Sequence, residues 1–79
     1  MGHARRPKLL AAKLVQIREA LGLSQQEMAE RLEHELTNKN ISKYERARSV
    51  PPIEVVLAYA RVSNVIMEQI VDDDLDLPF

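Results

Sequence analysis

The chain has no cysteine and no tryptophan, only two glycines and a single phenylalanine. Without thiols there is no disulfide framework, no thiolate metal ligand and no thiol redox chemistry, which fits a reducing compartment and makes a cytoplasmic location the expectation. Helix formers dominate, and the β-branched residues are too scattered to alternate over several strands, so the expected class is all-α. No apolar run approaches the roughly 20 residues needed to span a bilayer, and the first residues hold no apolar signal-peptide core, so no membrane association is expected. Histidine is equally sparse. His3 and His34 are the only two, and no His/Cys/carboxylate cluster has metal-ligand spacing. The adjacent carboxylates Asp72, Asp73 and Asp74 do not make a defined cation cage. There is no glycine-rich phosphate loop and no nucleophile paired with a base. The expectation is a protein that is not an enzyme, with no catalytic residue, metal or cofactor.

What remains is a small charged chain. Its 79 residues allow one domain, near the size at which a single core supplies only about 3–5 kcal/mol, so dimerisation would help. The net charge of −1 conceals an asymmetry. Residues 1–50 carry ten Lys/Arg against six Glu, for +4, whereas residues 51–79 carry only Arg61 against six acids, for −5. Such a polar molecule has one half suited to phosphates and another suited to a basic protein partner.

Residues 1–8, MGHARRPK, lack an apolar period and read as a flexible N-terminal arm, with Arg5, Arg6 and Lys8 able to reach phosphates. From Leu9, the positions Leu10, Leu14, Ile17 and Leu21 repeat at helical spacing, and Gly22 supplies a left-handed stop. Ser24 with Glu27 forms a capping box that starts a second helix, whose Met28, Ala29 and Leu32 share one face. Thr37 is the next cap, and Ile41 with Tyr44 points inward at i,i+3, leaving Asn38, Lys39, Asn40 and Lys43 directed away from the core. SVPP closes this third helix. A fourth follows with Ile53, Val56, Leu57 and Ala60 as its apolar stripe, extended by Tyr59 and Val62, and it breaks at Asn64. A short fifth helix covers roughly 66–71. The aspartates that follow oppose its dipole and repel one another, so residues 72–79 are expected to fray as an acidic tail.

The stretches LGLSQQEMAERL, ISKYERARSVP and IEVVLAYARVSNVIMEQI resemble the Cro/repressor-type (XRE-like) helix-turn-helix family over about residues 9–71. The resemblance implies a compact five-helix, lambda-repressor-like DNA-binding domain in which helix three enters the major groove. It implies that Asn38, Lys39 and Lys43, with Asn40 close by, read base edges. Asn suits adenine and Lys suits guanine O6/N7. It also implies that Gln25, Arg46 and Arg48 hold phosphates, and that Arg18 and Glu45 form a structural ion pair. Three departures stand out. The turn between Leu32 and Ile41 is two residues longer than is common, Ala47 replaces the usual Gly at the exit of helix three, and Ile66 replaces the usual Ser or Thr cap of helix five.

The expected function is a sequence-specific double-stranded DNA-binding transcriptional regulator that binds a palindromic operator as a homodimer. Its subunits would meet through Val65, Ile66, Met67 and Ile70, expected to be exposed at the edge of a small domain. The alternative is an antitoxin-like or adaptor module that uses the same fold to bind a protein through its acidic C-terminal half.

Overall fold

A computed structural model describes residues 8–79; the arm expected over residues 1–8 lies outside them except for Lys8. Five helices follow one another: α1 (Leu10–Ala20), α2 (Gln25–Leu32), α3 (Asn38–Glu45), α4 (Ile53–Ser63) and α5 (Met67–Val71). No strand occurs among the described residues. The core draws on every helix: Leu14 and Ile17 of α1, Met28 of α2, Ile41 of α3, Tyr59 of α4 and Ile70 of α5 are fully buried. Helices this short are marginal alone and hold their form through such packing. Among the described residues, no helix is long and apolar enough to cross a membrane, and no group of three His, Cys, Asp or Glu could hold a metal ion.

Local chemistry sets the helix ends. Ser24 accepts the Glu27 amide at 3.0 Å while the Glu27 carboxylate accepts the Ser24 amide at 2.8 Å, completing the expected box at the start of α2. Gly22 (φ +70°) and Asn64 (φ +57°) supply left-handed stops after α1 and α4, each followed by an amide that returns to a carbonyl five residues earlier. Ala47 takes the same left-handed conformation (φ +58°) after α3, with Arg48 N–H donating to the Lys43 carbonyl at 2.9 Å. The exit therefore keeps the shape that favours glycine, although the side chain is alanine. The long turn between α2 and α3 bends at Glu33 (φ +63°) and Glu35 (φ +56°), two left-handed positions that absorb its extra length.

Three expectations need correction. On α4 the buried positions are Val55, Val56, Ala58, Tyr59 and Ala60, whereas Ile53 is 73% exposed and Leu57 is also exposed. The stripe is rotated, because Ile53 stands ahead of the turn that first meets the core. Val65 and Ile70, expected at a dimer surface, are buried within the single chain. Of that group only Ile66 is exposed, with Met67 half-buried. Finally, residues 72–79 do not fray. Leu77 joins the core, and the Lys13 ammonium, only 3% exposed, donates to the carbonyls of Gln69 (2.8 Å), Asp72 (2.8 Å) and Leu75 (2.6 Å). A cation at the end of α5 satisfies carbonyls that the helix leaves open and offsets the aspartates expected to drive the segment away.

Candidate nucleic-acid interface

The face built on α3 depends on what fastens that helix from behind. Arg18 of α1 grips Glu45 with two parallel bonds, Nε to Oε2 at 2.7 Å and Nη2 to Oε1 at 3.1 Å, and its Nη1 donates to the Leu23 carbonyl at 3.0 Å. Gln25 of α2 adds a bond from Nε2 to Glu45 Oε1 at 3.0 Å. One carboxylate thus ties three helices together. Its hydrogen bond holds the Arg18 guanidinium above its ordinary pKa, against an opposing effect of burial. Behind this node lies the fully buried ring of Tyr59, whose hydroxyl has no hydrogen-bond partner among the described residues and is pushed far above its ordinary pKa by burial.

On the outward side, Asn38, Lys39 and Lys43 of α3 are exposed, as are Arg46 and Arg48 just beyond it. Lys39, Lys43, Arg46 and Arg48 line one open depression together with Ser42. The helical spacing Lys39, Ser42, Lys43, Arg46 (i, i+3, i+4, i+7) gathers them on one stripe. Ser42 was not singled out from sequence, although that spacing contains it. A shallow, cation-rimmed helix surface with a hydroxyl in its floor offers donors to anionic oxygens and to base-edge acceptors.

Two expected site residues sit differently. The Asn40 side-chain oxygen accepts from the Thr37 amide at 2.8 Å and the Thr37 hydroxyl at 3.1 Å. Asn40 therefore caps α3, and bidentate pairing with adenine, which needs that oxygen, is not open to it in this conformation. Gln25 is half-buried and turns one amide hydrogen inward to Glu45, which leaves the other for an outside acceptor. The expected ion pair of Arg18 and Glu45 is present.

A family model described as helix-turn-helix matches residues 14–65, from α1 through the end of α4. The chain belongs to the Cro/repressor-type helix-turn-helix family. In this family's terms α2 and α3 are the two helices of the motif. No curated protein matches the chain. Among solved structures, it is similar to the P22 c2 repressor protein in complex with synthetic operator 9T, with 21% identity, a TM-score of 0.74, and coverage of 85% of this chain and 98% of that one. It is also similar to the SinR protein/SinI protein complex, with 23% identity, a TM-score of 0.72, and coverage of 82% of this chain and 62% of that one. At these identities the likeness establishes the shared five-helix architecture.

Proposed function

We propose that this helix-turn-helix protein is a sequence-specific double-stranded DNA-binding transcriptional regulator that lays α3 in the major groove. One observation carries the reading: Lys39, Lys43, Arg46 and Arg48 share one exposed face and have no carboxylate partner among the described residues. Four cations held close together without counter-charges repel one another, and a phosphate backbone relieves that repulsion. Asn38, Lys39 and Lys43 take the base-reading role. Arg46, Arg48 and the free amide hydrogen of Gln25 take the phosphate role. Binding as a homodimer to a palindromic operator, with half-sites about 10–10.5 base pairs apart, places two α3 helices in successive major grooves. Ile66, 59% exposed, and the half-buried Met67 are the apolar residues left for the subunit contact.

Selection of bound duplexes from a random DNA pool tests the reading. The expected product is a two-fold symmetric site whose binding weakens steeply with salt. Lys39→Ala and Lys43→Ala should each lower affinity about 5- to 150-fold, equivalent to roughly 1–3 kcal/mol per base contact, with circular dichroism unchanged. Variants that bind the selected site as tightly as the parent would refute the assignment of α3. A second reading is favoured by the acidic second half and by the exposed Ile53 and Leu57 of α4: an antitoxin-like or adaptor module that binds a protein there. Absence of any selected duplex would leave that reading standing in place of the first.

A further inference from the structure

Away from the cationic depression on α3, a second hollow combines apolar walls with polar groups that lack partners. It lies where the start of α1 faces the segment after α3, has a volume of about 100 Å³ and is open to solvent. Ala11 of α1, with Val50 and Pro51 between α3 and α4, supplies apolar wall. Lys8, Tyr44 and Ser49 border the same space. Tyr44 is only 6% exposed, and neither its hydroxyl nor that of Ser49 forms a hydrogen bond among the described residues. Burial pushes the Tyr44 hydroxyl above its ordinary pKa, so it stays protonated and able to donate. The Lys8 side chain is exposed and forms no ion pair among the described residues. Asp73 instead accepts from the main-chain amides of Lys8 at 2.8 Å and Leu9 at 3.1 Å, which fixes the backbone at this edge of the hollow and leaves the Lys8 ammonium unclaimed.

Apolar walls with a few free polar groups are the composition of a small-molecule site, the walls giving affinity and the polar groups orientation. One ammonium and two hydroxyls that can all donate select an anionic acceptor. Volume narrows the choice further. An apolar cavity of about 150 Å³ holds benzene, so about 100 Å³ admits a smaller body, the size of a branched four-carbon chain, with its head group toward the open side. We propose that this hollow is a binding site for a short branched aliphatic carboxylate, its alkyl end against Ala11, Val50 and Pro51 and its carboxylate toward Lys8, Tyr44 and Ser49. Such binding does not depend on what α3 contacts. A ligand of about seven non-hydrogen atoms with an exposed head group binds weakly, with a Kd of about 1 mM.

Isovalerate, titrated at neutral pH and constant ionic strength into the full-length protein labelled with nitrogen-15, is followed by amide chemical shifts. Isovaleramide and isoamylamine are the neutral and cationic matches in shape, and acetate carries the charge without the branched end. Isovalerate should give saturable shifts at Ala11 and Val50, with the amide and acetate at least about 10-fold weaker and the amine without effect. Tyr44→Phe, which removes only the hydroxyl, and Lys8→Met should each weaken isovalerate by about 3- to 10-fold. Ala11→Leu, which fills the hollow, should abolish the shifts. Equal binding of isovalerate and isovaleramide would overturn the anionic assignment. Shifts that do not saturate, or that persist in Ala11→Leu, would overturn the site. Should Ala11→Leu fail to fold, undiminished binding by both Tyr44→Phe and Lys8→Met would overturn it equally.

Discussion

Replacing Arg18 with methionine keeps an unbranched apolar stem and removes the three hydrogen bonds that the guanidinium donates, two to Glu45 and one to Leu23. The Glu45 side chain is only 6% exposed and that of Arg18 is 18% exposed, so the substitution strands the more deeply buried partner, with Gln25 as its remaining donor. Exposed pairs contribute about 0–1 kcal/mol. Breaking a buried pair from one side costs about 3–5 kcal/mol because the remaining charge is uncompensated. At these exposures we expect the lower end of the second range, about 3 kcal/mol, which for a domain of this size lowers Tm by about 12–24 °C. The reverse lesion is milder. Glu45→Gln leaves a guanidinium with more access to water, and its cost should be about 1.5 kcal/mol. The double variant Arg18→Met/Glu45→Leu leaves no stranded charge and should recover most of the lost stability. It should still bind DNA less well than the parent, because the bonds that orient α3 against α1 and α2 are gone. Thermal and urea unfolding followed by far-ultraviolet circular dichroism, at one pH and salt concentration, gives all three values. Single variants within 0.5 kcal/mol of the parent, or Glu45→Gln more damaging than Arg18→Met, would refute the assignment of Glu45 as the buried end of the node.

Ala47→Gly should stabilise the domain by about 0.5–1 kcal/mol, because relief of the left-handed strain exceeds the extra freedom glycine gives the unfolded chain; a lower urea midpoint would contradict it. Lys13→Met removes the donor shared by three carbonyls and should cost about 3 kcal/mol, and Lys13→Arg should not rescue it, since a planar fork cannot replace a compact ammonium among converging carbonyls. Equal urea midpoints for parent and Lys13→Met would show that those carbonyls are satisfied without it. The amides of Lys8 and then Leu9 hold the Asp73 carboxyl below its ordinary pKa of 3.8. A folded-state pKa below the unfolded one means that the contribution is complete above about pH 4 and is lost as pH falls through the folded value. The Tm difference between the parent and Asp73→Asn should therefore be constant from pH 6 to about pH 4 and shrink below it; a difference that widens on acidification would reverse the sign of the linkage.

What was legible in the sequence was what is local. Ser24 and Glu27 are three residues apart, so their reciprocal cap is visible in the sequence, as are the stops at Gly22 and Asn64. The rotation of α4 was not visible, because IEVVLAYA is apolar almost all the way round and its pattern selects no single face. Lys13 is not legible as a core residue because its charge suggests a solvated face, whereas three backbone carbonyls from the C-terminal segment offset the cost of burying it. Asp73 is hidden for a related reason. Locally the aspartates face only their own helix dipole, whereas the amides that claim Asp73 lie 64 and 65 residues away. At the site, the outward direction of Asn38, Lys39 and Lys43 followed from the inward pair of Ile41 and Tyr44. The cap formed by Asn40 depends on a choice of rotamer that its position does not dictate. The pairing of Arg18 with Glu45 spans 27 residues and came from family resemblance rather than from spacing.

The enclosure of Lys13 also gives the molecule an internal reporter of its own opening. The four lysines are Lys8, Lys13, Lys39 and Lys43, and all but Lys13 are exposed. An acylating reagent should modify the three exposed amines quickly and reach the fourth only when the C-terminal segment lifts away from α1. An acylated Lys13 has lost its charge and cannot return to its three carbonyls as before, so each event traps the opened form. The rate of labelling at Lys13, read by mass spectrometry against that at Lys39 and Lys43, would measure how often the segment detaches.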